Sequence, residues 1–250
     1  MHTRTDGIVI KERPIGEKDK VITILTRTEG IVEAIARGVR NTKSRLLSGV
    51  SLFTYSDFSI YKGKTNYIID SAEEKNSFHG VSQGLEKTAL CFYFSALCLY
   101  LSPAPQESEA FLRLFLNSLY LLDKGLKKHA YIKSVFELKA AEYGGFAPSL
   151  TGCSSCGTYE DEKMHLNPKT GELVCGSCNA GEKGMQLSRK VLMALRYIYF
   201  NEIDKAFNFQ LDDASLKELS SVSERYLLTQ TTERFKTLDF YKSLEDGEKL

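Results

Sequence analysis

The sequence lacks tryptophan, a marked charge of either sign and a long apolar run. Its 250 residues hold 33 Lys and Arg against 32 Asp and Glu, a formal net charge of +1. No overall charge bias therefore indicates a nucleic-acid partner, and any such partner must be met by a local patch. The most apolar run, 90–101, is about a dozen residues and includes Tyr93, Ser95 and Tyr100. This run is too short to cross a bilayer, so we expect no membrane partner.

The usual enzyme motifs are also missing. The residues Gly63, Lys64 and Thr65 resemble the end of a P-loop, but that motif requires glycine where Phe58 stands. We find no G-x-G-x-x-G after a strand and no G-x-S-x-G elbow, and the histidines have no ligand spacing: His2, His79, His129 and His165. The chain is therefore predicted not to be an enzyme. A metal-dependent nuclease stays open as an alternative, because acidic residues could cluster in space: Asp19, Asp57 and Asp70.

Six cysteines are present, and four of them form the clearest motif. They are Cys153, Cys156, Cys175 and Cys178, two C-x2-C pairs separated by 18 residues. This spacing is typical of a four-thiolate zinc site, whereas a catalytic zinc usually keeps one position open to water. The zinc deaminase signature is absent, since His165 is followed by Leu166 and Asn167. We therefore predict a structural Zn²⁺.

Disulfides and free thiols are the alternatives to zinc. No secretory signal pattern opens the sequence, so we expect a cytoplasmic, reducing location, in which disulfides are rare. Residues 167–171 predict a hairpin turn between two short apolar segments, as in a zinc ribbon, which we place at 150–184. The other two cysteines, Cys91 and Cys98, share one helix face and are predicted to be buried thiols.

The first eighty residues have the pattern of a small β domain. Five β-rich runs alternate with turn signals, and they cover 7–10, 21–25, 31–36, 52–61 and 66–72. Their number and spacing predict a five-stranded OB-fold barrel over residues 1–80.

Helical periodicity dominates from about Val81 onward. Apolar residues three or four apart predict a first helix that ends before Pro103: Leu85, Ala89, Phe92, Ala96 and Leu99. Further helices are predicted at 107–122, 130–143, 188–200, 214–229 and 233–244, with Ser188 and Asp212 or Asp213 as N-caps. The fold class is therefore α+β with more than one domain, in which a helical domain at 81–250 is interrupted by the ribbon.

A basic loop is the best candidate for a nucleic-acid contact. Between the third and fourth β runs, 37–45 holds four basic residues and no acidic one, and the turn after the fourth run adds two more: Arg37, Arg40, Lys43, Arg45, Lys62 and Lys64. Such a loop on a small barrel suits a phosphate backbone. Neighbouring aromatics could stack on unpaired bases, although each could equally fill the core: Phe53, Tyr55, Phe58, Tyr61 and Tyr67. A merely solvated loop is the alternative.

Several segments together resemble the RecO DNA-repair family. They are the opening 5–11 with 16–20, the segments 35–40 and 43–46, the segments 53–55 and 60–63, and 142–150 before the first cysteine pair. The resemblance covers nearly the whole chain and is least clear in the final helix.

The resemblance implies a non-enzymatic recombination mediator with an OB-fold, a helical domain and a zinc ribbon. It implies binding of single- and double-stranded DNA, annealing of complementary strands without ATP and, with RecR, loading of RecA onto DNA coated by single-strand-binding protein (SSB). The location would be cytoplasmic and nucleoid-associated. The family's DNA contacts would correspond to Arg37, Arg40 and Lys43, and less closely to Arg45.

The resemblance also implies that the SSB tail docks on the helical domain. An acidic peptide with an apolar end requires an apolar groove with a basic rim, for which Arg113, Lys133 and Lys139 are candidates unless they are simply solvated. The alternative function is that of a zinc-ribbon adaptor between proteins, related to transcription.

Overall fold

The computed structural model describes residues 2–63, 66–101, 103–179, 181 and 184–247. The chain divides into two compact units, one formed by 1–124 with 237–250 and the other by 125–236. The helices and strands alternate in blocks, with five strands first and mainly helices afterwards. The predicted α+β class is therefore confirmed.

Five strands open the first unit and close into a barrel in the order β1-β2-β3-β5-β4. They are β1 (His2–Ile15), β2 (Asp19–Thr26), β3 (Ile31–Ala36), β4 (Thr54–Lys62) and β5 (Tyr67–Ser77). The β3–β5 pair is parallel and the other pairs are antiparallel. Alternate side chains point inward and form an apolar core that includes Val9, Ile22, Ala34, Phe58 and Ile69. Each of the five predicted β runs overlaps one of these strands, although 52–53 precede β4, 66 precedes β5 and β1 is much longer than predicted.

Four helices complete the first unit: α1 (His79–Ser82), α2 (Leu85–Leu101), α3 (Ser108–Lys124) and α8 (Lys236–Gly247). Helix α2 was expected from the apolar repeat, but that repeat is not its buried face. Leu85 and Phe92 are 62% and 40% exposed, whereas the buried side chains include Leu90, Phe94 and Leu97. Because apolar residues surround this helix almost completely, their spacing alone did not identify the face that packs. Cys91 and Cys98 are buried, as predicted, and burial raises the pKa of both thiols.

The second unit is a helical unit with an inserted small sheet. Its elements are α4 (His129–Tyr143), β6 (Ser149–Cys153), β7 (Met164–Leu166), β8 (Glu172–Cys175), β9 (Met185–Leu187), α5 (Arg189–Phe200), α6 (Ile203–Ala206) and α7 (Asp213–Thr231). The sheet order is β6-β8-β7-β9, and the predicted turn at 167–171 joins the antiparallel β7 and β8. Ser188 caps α5 by accepting from the Val191 N–H, and Asp212 caps α7 by accepting from the Ser215 N–H, as predicted.

The two compact units meet in sequence at 124 and 125, whereas the β-rich part of the chain ends near residue 77. The domain boundary at residue 80 stays a prediction. Helices α2 and α3 belong to the same compact unit as the barrel. Among the described residues, no helix combines the length and apolar character needed to span a bilayer.

Candidate metal centre and nucleic-acid interface

The four predicted cysteine ligands meet at one point of the small sheet. The sulfur atoms of Cys153, Cys156, Cys175 and Cys178 all lie within 4.8 Å of one another. The Sγ atoms of Cys156 and Cys175 are 3.6 Å apart. A tetrahedral ion with metal–sulfur distances of about 2.3 Å would separate its ligands by roughly 3.8 Å, so the spacing fits such an ion.

Two tight turns aim these sulfurs at one another. The Gly157 N–H donates to the Cys153 carbonyl, and the Cys178 and Asn179 N–H groups donate to the Cys175 carbonyl. Gly157 has a φ of 75°, a left-handed conformation that glycine adopts without strain. Each C-x2-C pair is therefore shaped by the local backbone, while the β6–β8 pairing brings the two pairs together.

The pKa values of the four thiols differ, because each sulfur has different hydrogen-bond partners and neighbours. A hydrogen bond from the Cys175 backbone lowers the pKa of Cys153 to about 6, whereas contact with the Cys156 sulfur raises the pKa of Cys178 to about 12. Four thiolates cannot share this space without a cation, because their charges repel one another. The donor set therefore fits a thiophilic metal ion that would neutralise them.

The small sheet is joined to the helices of its own unit by polar contacts. The Arg196 Nε and Nη2 donate to the carbonyls of Leu150 and Tyr159 at 2.9 and 2.7 Å, and the guanidinium lies 3.7 Å from the centre of the Tyr159 ring. Arg196 is 3% exposed. At the opposite end, the Gln230 side chain donates to the Pro168 carbonyl in the hairpin turn. These contacts hold the metal-ligating segment in a fixed position on α5 and α7.

The basic loop between β3 and β4 is mostly exposed, although Val39 within it is buried. Its four predicted DNA contacts, Arg37, Arg40, Lys43 and Arg45, are all exposed. None of the four forms an ion pair with any carboxylate in the described part of the chain. Their charges are therefore available to a ligand, in one short segment of the chain.

Hydrogen bonds at the start of the loop fix its path. The Gly38 N–H donates to the Asp19 carboxylate at 2.7 Å, and the Arg40 N–H donates to the Lys18 carbonyl at 3.0 Å. The Arg40 side chain also donates to the Gly16 carbonyl. The loop therefore lies against the β1–β2 turn, which adds the exposed Lys18 to the basic surface. Sequence reasoning missed Lys18, and the cluster of charges at 17–20 was the available signal.

Lys62, a fifth predicted DNA contact, lies on a different turn. Lys62 ends β4 and pairs in register with Tyr67, which in turn stands opposite Ala34. Arg37 follows Ala34 by three residues, which corresponds to roughly 10 Å along a strand. Lys62 is exposed but therefore belongs to a different turn from the loop. Lys64 lies outside the described residues.

The five nearby aromatics divide into buried and accessible residues. Phe53 and Phe58 are 7% and 2% exposed and pack in the interior. Tyr55 is half-buried and donates to the Asp6 carboxylate. Tyr61 is half-exposed and Tyr67 is 42% exposed. Only the last two of the five could offer a ring to a ligand without unfolding the barrel.

The acidic cluster required for a nuclease is not formed in the described part of the chain. Asp19 accepts from the loop backbone, and Asp57 pairs with Lys75 at 2.6 Å. The four cysteines are the one group of three or more potential metal ligands that the described residues bring together. The nuclease alternative therefore has no site here to support it.

Two of the three residues considered for a basic rim are buried, so that interpretation is wrong for them. Lys133 and Lys139 are 3% and 1% exposed, and both are paired with carboxylates. Neither is solvated, because each lies on α4, almost all of which is covered. Arg113 is half-buried on α3.

A different groove in the second unit combines apolar walls with basic edges. It has a volume of about 690 Å³, and its walls include Met193, Tyr197, Phe209 and Leu211. Arg189 and Lys190 lie at its edge, where Arg189 is 3.0 Å from the Glu160 carboxylate and Lys190 is 2.5 Å from that of Asp212, which also lines the groove. The groove therefore has the character that was expected for a peptide site, at residues that the sequence did not indicate.

Comparisons with known proteins cover almost the entire chain. A family model described as Recombination protein O N terminal matches residues 1–78, and one described as Recombination protein O C terminal matches residues 82–239. A curated protein of Acetivibrio thermocellus named DNA repair protein RecO is 33% identical over 98% of both chains. Proteins of the same name from Symbiobacterium thermophilum, 30% identical over 97% of both chains, and Alkaliphilus metalliredigens, 28% identical over 98% of this chain and all of the relative, are also similar.

Proposed function

The chain belongs to the RecO family of DNA repair proteins, and from this we propose that it is a DNA-binding recombination mediator that anneals complementary strands without ATP. In the same proposal it acts with RecR to load RecA onto SSB-coated DNA, in the cytoplasm and on the nucleoid. It carries out no bond-breaking chemistry, and its work is to bring strands and partner proteins together. The membership and the exposed basic loop support this function.

The barrel is proposed to be an OB-fold. Five strands in the order 1-2-3-5-4 around a closed barrel support that assignment. OB-folds bind oligonucleotides on the face of their second and third strands, together with the loops between strands 1 and 2 and between strands 4 and 5. Here the β1–β2 turn and the basic loop meet at the shared end of β2 and β3, where the Arg40 N–H donates to the Lys18 carbonyl.

The observation that carries the DNA-binding proposal is the set of unpaired cations in the loop. Arg37, Arg40, Lys43 and Arg45 are exposed and form no ion pair among the described residues. Each cation that contacts a phosphate releases a condensed counterion, which drives binding and makes it salt-dependent. Lys18 extends this surface, while Lys62 is proposed as a separate contact and Lys64 stays a prediction.

A physical account of annealing follows from the same charges. Two single strands repel one another through their phosphates, and a protein that neutralises both lowers that repulsion. Contacts with phosphates carry no sequence information, so the bases stay free to search for register. No nucleotide-binding motif is needed for this process.

The test is a triple substitution, Arg37, Arg40 and Lys43 to Ala. We expect the variant to lose annealing of complementary oligonucleotides and to bind single strands more weakly. Loss of three phosphate contacts should also reduce the slope of log K against log salt by about 2. A control with Lys205, Lys217 and Arg225 changed to Ala removes the same charge from exposed positions of the second unit.

The control variant should anneal and bind as the parent protein does. Unchanged annealing by the loop variant would refute the assignment of these residues. If the parent protein showed no salt-dependent binding of oligonucleotides, a role as a protein adaptor would replace the DNA-binding proposal.

The metal ion is proposed to be a structural Zn²⁺ held by the four cysteines. Four thiolates complete a tetrahedral site and leave no position for water, so the ion would stabilise the sheet rather than take part in a reaction. The close sulfur spacing supports this assignment.

The groove of the second unit is proposed as the dock for the acidic SSB tail. Its apolar walls would take the apolar end of the tail, while Arg189 and Lys190 would face its carboxylates. We expect Met193→Asp to weaken binding of a cognate SSB-tail peptide at least tenfold. Phe200→Asp changes an exposed aromatic on the same helix outside the groove and should leave binding unchanged. Equal effects of the two variants would exclude this groove.

A further inference from the structure

A continuous row of six side chains winds around the barrel, from β1 through β2, β3, β5 and β4 and back to β1. The register pairs Arg13 with Val21, Val21 with Ile35, Ile35 with Ile68, Ile68 with Tyr61 and Tyr61 with His2. Residues directly opposite each other on neighbouring strands project from the same face of a sheet. These six side chains therefore form one line that visits all five strands.

This row lies on the outer surface of the barrel. The neighbours of these residues along the strands belong to the apolar interior. Ile22 is next to Val21, and Ala34 is next to Ile35. In the same way, Ile60 is next to Tyr61, and Ile69 is next to Ile68. Successive side chains in a strand alternate between faces, so the row must point away from the core. The sequence pattern could not show this, because the row is assembled from five separate strands.

The chemistry of the row changes along its length. Its middle is apolar, with Val21 and Ile68 buried and Ile35 half-exposed. At one end the rings of His2 and Tyr61 lie with their centroids 5.2 Å apart at an angle of 35°. His2 is exposed and Tyr61 is half-exposed. Bases of single strands stack on accessible aromatic rings, which this pair offers, while the buried Val21 and Ile68 lie beneath the surface beside it.

Basic residues flank the row, and carboxylates bound it on one side. Arg13 is its exposed end, Arg37 is two residues beyond Ile35, and Arg4 is two residues beyond His2. Residues two apart in a strand share a face, so Arg4 borders the row, while Arg37 lies in the turn that directly follows β3. A second cross-strand line, Asp6 with Asp57 and Asp57 with Glu73, lies further along β1, where Arg27 and Lys75 pair with the first two carboxylates.

The dimensions suit a short single strand. Five strand-to-strand steps of about 4.8 Å give a length of roughly 24 Å. OB-folds contact as few as about four nucleotides, which a row of this length accommodates.

We propose that an unpaired nucleobase stacks on Tyr61 and His2, and that a single DNA strand runs along this row toward Arg13. The inference rests on the proposed function, in which the amino-terminal barrel binds DNA. Stacking uses the flat face of a base and leaves its Watson–Crick edge free. The ring pair of Tyr61 and His2, which we call the platform, therefore holds a strand in a form that a complementary strand can pair with. A duplex, whose bases already stack on one another, does not fill it.

The absence of tryptophan provides a direct test. Tyr61→Trp introduces the only indole of the chain, at the proposed platform, and Tyr120→Trp is a matched control at a tyrosine on α3 that is 50% exposed. An oligothymidylate and an abasic oligonucleotide of the same length carry the same phosphates. Anisotropy of labelled strands reports binding, while indole emission reports stacking.

We expect thymidylate to quench Tyr61→Trp at saturation and the abasic strand to leave its emission unchanged, with no response from Tyr120→Trp. We also expect Tyr61→Ala to weaken thymidylate binding by about 5- to 100-fold and abasic binding hardly at all. Tight binding with unaltered Tyr61→Trp emission, or equal quenching by both strands, would overturn the platform alone. Failure of the parent protein to bind any strand would overturn the proposed function as well.

Discussion

Replacement of Lys133 by Met should destabilise the second unit strongly, because it leaves a buried carboxylate without its partner. The Lys133 Nζ lies 2.8 Å from an oxygen of Glu137 and 2.8 Å from an oxygen of Glu224. Lys133 and Glu137 are 3% and 0% exposed. The Ser223 hydroxyl completes the network by donating to Glu137 at 2.6 Å. The network joins α4 to α7.

The magnitude follows from the burial of these charges. Removal of one member of a buried ion pair costs about 3–5 kcal/mol, since the remaining charge is neither solvated nor paired. For an unfolding slope of about 2 kcal/mol per molar urea, the midpoint should fall by roughly 2 M. Far-UV circular dichroism during urea titration measures this shift.

A matched control separates burial from the loss of a charge. Lys128→Met, at the N-cap of the same helix, removes a lysine that lies 2.6 Å from Asp213, but both partners are exposed. Exposed pairs contribute about 0–1 kcal/mol, so this variant should unfold close to the parent protein. The double variant Lys133→Met with Glu137→Leu should regain most of the lost stability, because no unpaired carboxylate remains buried.

The effect should also depend on pH in one direction. Burial raises the pKa of Glu137, and Lys133 opposes this rise. Without Lys133 the pKa rises further, so the folded variant binds a proton that the unfolded chain has released near neutral pH. The stability of the variant then falls as pH rises. The loss of unfolding free energy caused by Lys133→Met should therefore be smaller near pH 5 than near pH 8. Equal stability of the two lysine variants, or a deficit independent of pH, would refute this reasoning.

Three further predictions concern the other parts of the chain. Cys175→Ser should abolish stoichiometric zinc in the purified protein, whereas Cys98→Ser should retain it, because Cys98 is buried on α2 and outside the ligand set; metal analysis distinguishes the two. Gly49→Ala should lower the free energy of unfolding by about 1–3 kcal/mol, as measured by thermal melts, because the added Cβ would lie 2.5 Å from the Ala72 carbonyl oxygen. Gly38→Ala is the control, since its Cβ would meet no neighbouring atom and would test only backbone strain. Burial would raise the pKa of Asp6, but hydrogen bonds from Arg27 and Tyr55 outweigh burial and lower that pKa to about 2. Asp6→Asn should therefore be less stable than the parent protein above about pH 4, and the difference in stability should vanish as the pH falls through 2.

Much of the fold was accessible from local pattern. The five β runs, the longer helices, the caps at Ser188 and Asp212 and the hairpin within the ribbon all depend on residues a few positions apart. The four-cysteine group was equally accessible, because two short turns place each pair of sulfurs and one strand pairing brings the pairs together.

Burial was much less accessible. Sequence reasoning took the repeat that includes Leu85 and Phe92 as a packing stripe and placed Lys133 and Lys139 on an open surface, yet the exposures are the reverse. A lysine becomes buried when distant carboxylates or carbonyls enclose its charge, as Glu224 does for Lys133 and the Asn201 carbonyl does for Lys139. Such partners lie on other helices or in loops, and the spacing of nearby residues does not predict them.

The sequence by itself determined the thiolate set, the succession of strands and helices, and the charge of the loop at 37–45, since each is a property of neighbouring residues. Tertiary structure alone decided that the turn with Lys18 lies against that loop and that Arg13, Ile35, Tyr61 and His2 fall on one line. The physical reason is register: hydrogen-bonded pairing between strands sets which distant side chains become neighbours, and a shift of one residue would turn each of them to the opposite face.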